Sequence, residues 1–184
     1  MYQEIFRSWQ NFRRGKKSTS VIDAFEYDLF RNLRDLTHEI ETGNYRHGNY
    51  RRVIIEEKKR RDLSVADVRD RVIHRLIYDE LTEIFDKTFD PDVWSCRKSK
   101  GLHKCLDRTQ ELLRKHQKSF IWRMDITKFF DHVDHEVLKQ CIKRRVKNPR
   151  IIKICDEIIN SYKSQERERE RDLMIENMAF QLVT

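Results

Sequence analysis

The chain has 184 residues, of which 38% are charged, and its net charge is +8 with a pI of about 9.4. This length suits one compact domain or part of a larger one. The sequence contains no 18-residue apolar window, so we expect no transmembrane helix, and its N-terminus is not expected to be a secretory signal. A basic chain of this size favours polyanionic partners, with nucleic acid first and an anionic membrane second, and a solvated, highly charged surface is the alternative.

Hydrophobic spacing predicts helices around two short strands in the first half of the chain. Residues 20–42 carry apolar side chains at helical spacing, and Gly43 is expected to end that helix. Strands are predicted at 50–57 and 61–66, separated by a basic turn. Asp67 is placed to cap a long helix over residues 68–85.

The second half of the chain is predicted to be mostly helical as well. Residues 101–116, 134–147 and 149–162 have helical patterns, whereas residues 86–100 are irregular. Residues 118–125 are rich in β-forming side chains and are predicted as a largely buried strand. The predicted fold class is therefore α+β, helix-rich with a small antiparallel sheet.

Three features could carry chemistry, and each has a structural alternative. Asp125 ends the predicted strand, where catalytic groups are often presented, but a lone aspartate can also cap a turn. The turn from Lys58 to Arg61 could grip phosphates or could protect a sheet edge from aggregation. A basic loop around Gly101 could approach a phosphate backbone or be an ordinary loop before a helix.

Metal binding through cysteine and histidine has weak support from the sequence. Four cysteines and several histidines are present, but none has the paired spacing of a zinc site. The alternative is ordinary surface histidines and reduced thiols in a cytoplasmic protein.

Four blocks in order resemble a reverse transcriptase, most closely the bacterial type of diversity-generating retroelements, with group II intron and retron enzymes as related types. The blocks are RNLRDLTHEIETGNYRHGNYRRVII, EEKKRRDLSVADVRDRVIH, FDPDVWSCRKSKGLHKCLDR and WRMDITKFFDHVDHEVL. The last is similar to polymerase motif A. The resemblance implies an N-terminal helical extension (1–49), fingers (50–117), a partial palm with motif A (118–163) and a degraded motif B-like tail (164–184).

The resemblance also implies roles for individual residues. Asp125 would be a catalytic carboxylate that binds two Mg²⁺ ions with help from the backbone carbonyl of Ile126, and Phe130 would exclude a ribose 2′-hydroxyl. Lys59 and Arg61 would neutralise the incoming triphosphate. The residues expected along the template path are Arg97, Lys98, Lys100 and Gly101. The implied partners are an RNA template with a DNA primer, or an RNA–DNA duplex, and a small basic accessory protein.

The family pattern is not followed at the end of the chain. A complete enzyme carries a Tyr-x-Asp-Asp motif, and these residues contain no Asp-Asp pair. In the motif B-like tail, Asp172 and Glu176 replace two glycines. We therefore expect only weak Mg²⁺ binding and no polymerase activity from this chain alone. A binding module for RNA or an RNA–DNA duplex without chemistry is the alternative function.

Overall fold

A computed structural model describes residues 1–56, 60–127 and 129–162, apart from the side chains of Arg61 and Asp131. Within these residues seven α-helices and one two-stranded antiparallel sheet form, so the predicted helix-rich α+β class is confirmed. Two short 3-10 helices, Asp86–Thr88 and Phe129–His132, complete the regular structure of the described residues. The helices and strands are α1 (Tyr2–Arg13), α2 (Ser20–Tyr27), α3 (Leu29–Thr42), β1 (Tyr50–Glu56), β2 (Arg60–Ala66), α4 (Val68–Phe85), α5 (Leu102–Lys115), α6 (His135–Arg145) and α7 (149–162).

The chain divides into two compact units. The N-terminal unit comprises residues 1–80 together with the described residues from 135 onward, and the central unit comprises residues 81–134. The N-terminal unit holds the apolar core, because each of its long helices buries one face. The buried core side chains include Ile5, Trp9, Phe12, Leu33, Leu36, Ile40, Val72, Ile73, Leu76, Val146 and Ile154.

The helix predicted over residues 20–42 is divided into α2 and α3. Asp28 interrupts it with φ −114° and ψ 38°, outside helical values. The Asn32 side chain donates a hydrogen bond to the carbonyl of Phe25 at 2.9 Å, which satisfies a carbonyl left unpaired at the end of α2. The predicted stop is confirmed, since Gly43 ends α3 in the left-handed conformation at φ 71°.

The two predicted strands form an antiparallel hairpin. Its register runs from Tyr50 opposite Ala66 to Glu56 opposite Arg60. The turn residues 57–59 lie outside the described residues. Ile54 and Leu63 each stay about two-fifths exposed, so the hairpin presents both of its faces to solvent over much of its length.

The predicted buried strand at residues 118–125 is wrong. Residues 120–126 have no regular structure and are exposed, with Phe120 fully exposed and Trp122 at 83%. A strand forms only where a neighbouring strand pairs with its N–H and C=O groups. The described residues offer no such neighbour to this segment, because the hairpin strands pair only with each other. The high β-propensity of these residues alone is therefore not enough to form a strand.

The predicted helices of the second half are found with small changes at their ends. They are α5, α6 and α7 as bounded above. Among the described residues, no helix combines the length and apolar character needed to cross a bilayer.

Candidate nucleotide and nucleic-acid site

Asp125 lies in the central unit on an exposed, irregular segment. Its carboxylate accepts a hydrogen bond from the backbone N–H of Ile126 at 2.9 Å. This contact joins adjacent residues and is not the turn cap that the alternative interpretation of Asp125 anticipated, and the carboxylate stays open to solvent. Asp125 is thus accessible to a ligand, although it does not end a strand.

Phe130 follows Asp125 on the short 3-10 helix Phe129–His132. Its ring is 85% exposed and meets the ring of Phe129 edge to face, with centroids 5.4 Å apart. An exposed phenyl ring held by a neighbouring ring can act as a steric wall. The geometry is compatible with the discriminating role that the sequence suggested for Phe130.

The described residues offer limited support for a magnesium site. They contain no group of three or more histidine, cysteine, aspartate or glutamate side chains placed to hold a metal. The resemblance assigns two donors at motif A, the Asp125 carboxylate and the Ile126 backbone carbonyl. Mg²⁺ requires six oxygen ligands in near-ideal geometry, so this donor set alone does not form a two-metal centre.

The fingers hairpin carries the residues expected to contact a triphosphate. The Cα of Arg61 lies on β2 opposite that of Ile55. Lys59 lies outside the described residues. On the same hairpin, Arg52 pairs with Asp62 at 2.6 Å, which keeps one arginine engaged within the hairpin. The hairpin belongs to the N-terminal unit, and Asp125, Ile126 and Phe130 belong to the central unit.

The basic loop before α5 is an ordered structure centred on Arg97. This guanidinium pairs with Asp86 at 2.7 Å and donates to the carbonyls of Asp86, Asp90 and Val93. Its side chain is only 13% exposed, and its hydrogen bonding lowers the pKa of Asp86. Arg97 therefore holds the loop together from inside.

The other basic residues of the loop are presented differently. Lys100 lies over the ring of Trp94, with its Nζ 4.0 Å from the ring centroid, and donates to the carbonyl of Pro91. Lys98 is exposed. Gly101 starts α5 with φ 135°, and a Cβ placed there would meet nothing within 4 Å. The backbone at Gly101 is consequently open to close approach by a ligand.

A buried polar network at the base of the fingers hairpin was missed by the sequence reasoning. Asp70 is 1% exposed and accepts hydrogen bonds from the Tyr45 hydroxyl at 2.9 Å and the Gly48 N–H at 3.0 Å. The Nε2 atoms of His47 and His74 lie 3.0 Å apart. Burial, together with the neighbouring His47, lowers the pKa of His74 to about 4. The available signal was the spacing of Asp70 and His74, four residues apart on one helix.

Asp70 also changes the acidity of its neighbour. Burial and the adjacent carboxylate raise the pKa of Tyr45 well above its usual value, so this hydroxyl remains a donor at every physiological pH. The network joins the loop after α3 to the start of α4, and it fixes the position from which β1 leaves. Its role is therefore to position the hairpin.

Sequence comparisons with known proteins point to one family. The family model described as reverse transcriptase (RNA-dependent DNA polymerase) matches residues 49–175, which is more than half of the chain. Protein YkfC of Escherichia coli (strain K12) is 25% identical over 126 residues, covering 65% of this chain and 33% of that protein. The chain thus spans about a third of the length of this relative. The extent of the family match shows that the chain belongs to the reverse transcriptase (RNA-dependent DNA polymerase) family.

Proposed function

We propose that this chain provides the fingers and the motif A part of the palm of an RNA-directed DNA polymerase. The observation that carries the proposal is the exposed Asp125, with the open ring of Phe130 five residues later, inside the segment matched by the family. The fingers (50–117), partial palm (118–163) and preceding helical extension (1–49) remain our proposed divisions. We further propose the diversity-generating retroelement type, a cytoplasmic location and a small basic accessory protein as partner.

The proposed roles follow the chemistry of each side chain. Lys59 and Arg61 neutralise the triphosphate, because cations on a projecting hairpin can reach phosphate oxygens. Asp125 supplies the carboxylate, and Ile126 its carbonyl, for a divalent ion that would stabilise charge at the reacting phosphate. Phe130 excludes a 2′-hydroxyl by the bulk of its exposed ring.

Within the basic loop, we propose a division of labour for template binding. Lys98 and the backbone at Gly101 contact the template backbone, since Lys98 is exposed and Gly101 is open to approach. Lys100, which is partly exposed over the ring of Trp94, adds a neighbouring positive charge to this contact. Arg97 has several donors engaged within the loop, and this favours a positioning role. Replacing Arg97 would then weaken template binding through loss of loop order.

We propose that residues 1–184 alone do not polymerise. A two-metal mechanism requires more than one carboxylate, and one carboxylate with one carbonyl should hold Mg²⁺ weakly. The test is primer extension by the purified chain on an RNA template with a DNA primer and Mg²⁺, with Asp125→Asn as the matched control. We expect the two proteins to be indistinguishable from a reaction without protein. Extension by the unmodified chain that disappears in Asp125→Asn would refute the inactivity.

The second candidate function is binding of RNA or an RNA–DNA duplex without chemistry. The excess of basic residues and the exposed loop lysine Lys98 favour it. A double variant, Lys98→Gln with Lys100→Gln, should weaken binding of a labelled hybrid and reduce the salt dependence of the affinity, because phosphate contacts release counterions. Arg7→Gln with Arg14→Gln is the control of equal charge, on exposed positions of the N-terminal helix region. Equal losses in both double variants would argue against a defined template surface.

A further inference from the structure

The corner between α6 and α7 holds a dense group of cations. Residues 143–153 read KRRVKNPRIIK and contain six lysines and arginines and no aspartate or glutamate. The net charge of the whole chain is +8, so this short segment carries most of the excess. All six side chains belong to exposed residues, namely Lys143, Arg144, Arg145, Lys147, Arg150 and Lys153.

The corner is an ordered part of the N-terminal unit. Val146 and Ile151 are 1% and 4% exposed, so the apolar positions between the cations are packed into the core. The Asn148 side chain accepts a hydrogen bond from the N–H of Arg150 at 3.0 Å and caps the start of α7. Pro149 is the first residue of that helix, where its fixed φ is favourable. The cations are therefore displayed on a fixed turn.

Two of the six cations are stabilised by groups of the protein itself. Lys143 pairs with Asp156 at 2.8 Å. The Nζ of Lys153 lies 2.6 Å from the position that a Cβ on Gly43 would occupy, at the carboxyl end of α3. A cation is favourable there because the terminal carbonyls of a helix carry partial negative charge.

The remaining four cations, Arg144, Arg145, Lys147 and Arg150, form a surface that we call the basic corner. None of them makes an ion pair within the residues that the structure describes. Lys147 and Arg150 flank the amino end of α7, where the helix dipole disfavours positive charge. Like charges so close together also repel each other. Arg144 and Arg145 lie in the last turn of α6, where the helix dipole favours cations, and the Lys147 ammonium donates a hydrogen bond to the Arg144 carbonyl at 3.3 Å. The unfavourable terms are therefore the mutual repulsion of the four cations and the position of Arg150 at the amino end of α7, and an external polyanion would relieve both.

We propose that the basic corner binds the phosphodiester backbone of nucleic acid, as a contact surface additional to the fingers and the basic loop. The chemistry of the corner suits a backbone, because it offers flexible point charges and guanidinium forks with no exposed aromatic ring between them to select bases. This inference rests on the proposed nucleic-acid function and adds one contact surface to it. The proposed function itself does not require the basic corner.

The corner is separate from the fingers hairpin within the same unit. The hairpin begins at Tyr50, whose hydroxyl lies 3.0 Å from that of Ser161 near the other end of the described part of α7. The corner lies at the start of α7, and Ser161 lies near its end. Because an α-helix rises about 1.5 Å per residue, the start and the end of α7 are roughly 20 Å apart. A nucleic acid that reached from the corner to the base of the hairpin would span about six nucleotides of a helix at roughly 3.4 Å each.

The test compares two variants of equal charge in the full chain. The corner variant carries Arg144→Gln, Arg145→Gln, Lys147→Gln and Arg150→Gln. The control carries Arg7→Gln, Arg14→Gln, Lys17→Gln and Lys118→Gln, all at exposed positions. Fluorescence anisotropy with a labelled single-stranded RNA and a labelled RNA–DNA hybrid, each of about 20 nucleotides, gives the affinity between about 50 and 200 mM salt. Matching urea midpoints establish that both variants fold.

We expect the corner variant to bind at least about tenfold more weakly at the lower salt, with the slope of log affinity against log salt reduced by about 2 to 3. The control should change the affinity far less. Equal losses in both variants, or no loss in the corner variant, would overturn the inference. So would intact nucleic-acid binding combined with lost binding to phosphatidylserine vesicles, which would assign the corner to a membrane surface.

The same assay separates this inference from the proposed function. The variant Lys98→Gln with Lys100→Gln tests the template loop independently. Weakened binding in the loop variant but not in the corner variant would refute the corner and leave the proposed function standing. Weakened binding in the corner variant alone would support the corner and count against the loop as a template surface.

Discussion

Replacing Asp70 with alanine should destabilise the N-terminal unit by about 3 to 5 kcal/mol, the range for removing one partner of a buried charged network. Asp70 is 1% exposed and accepts from the Tyr45 hydroxyl, the Gly48 N–H and, at 3.2 Å, the Arg69 guanidinium. Without the carboxylate, the Tyr45 hydroxyl and the Gly48 N–H lose their acceptor, and each buried unsatisfied group costs about 1 to 3 kcal/mol. The Arg69 contact adds less, because that side chain is one-third exposed and also pairs with Glu39.

Urea unfolding followed by tryptophan fluorescence would measure this loss. Trp9 is 4% exposed in the core of the N-terminal unit and Trp122 is largely exposed, but Trp94 in the central unit is partly buried. The measurement is therefore made in a Trp94→Phe background, where the emission shift on unfolding reports mainly on Trp9. The expected result is a lower midpoint at an unchanged slope. Tyr45→Phe is the matched control, because it removes one hydrogen bond while Asp70 keeps its other donors. It should cost about 1 kcal/mol.

A loss below about 1 kcal/mol for Asp70→Ala would refute the reasoning, since it would mean that the carboxylate is not the common acceptor of the network. A loss in Tyr45→Phe as large as that in Asp70→Ala would also contradict it. That result would assign the energy to the tyrosine ring and its packing.

Three further predictions concern other parts of the molecule. The pKa of His74 is about 4 in the folded chain and 6.5 for an unperturbed histidine, so unfolding takes up a proton below pH 6.5. The free energy of unfolding should therefore fall as the pH drops from 6.5 to 4, by at most about 3 kcal/mol. The urea midpoint of His74→Gln should fall less over this range than that of the unmodified chain. Arg97→Met should loosen residues 86–100, measured as faster amide hydrogen exchange there, and unchanged exchange would contradict the internal role of Arg97. Gly43→Ala should cost about 1 to 2 kcal/mol, and Gly15→Ala, with a similar φ of 72° but open space around it, is its control; an equal cost in both would show that Lys153 moves aside freely.

Local patterns predicted much of the secondary structure. The hairpin, α4 and the end of α3 at Gly43 were all predicted from neighbouring residues, because alternation, helical spacing and a left-handed glycine are determined by nearby sequence. The break at Asp28 was not predicted. It depends on the side chain of Asn32 reaching back to Phe25, which apolar spacing does not report.

The candidate site was predicted unevenly. Motif resemblance identified Asp125 and Phe130, and both are accessible in the structure. The same reasoning grouped Arg97 with Lys98 and Lys100 along the template path, yet the Arg97 side chain is turned into its own loop. A basic residue in a sequence gives its charge but not the direction of its side chain, which depends on carbonyls that the fold brings near.

The sequence by itself determined the family, the order of the motif blocks and the charge that favours a nucleic-acid partner. Tertiary structure alone decided three matters that depend on residues distant in sequence. Among the described residues it left 120–126 without a strand neighbour, it buried Asp70 among donors from the loop after α3, and it fixed the cations of the α6–α7 corner in the open. Strand pairing, burial of a charge and exposure of a charge all depend on which distant segments pack together, and no local pattern contains that information.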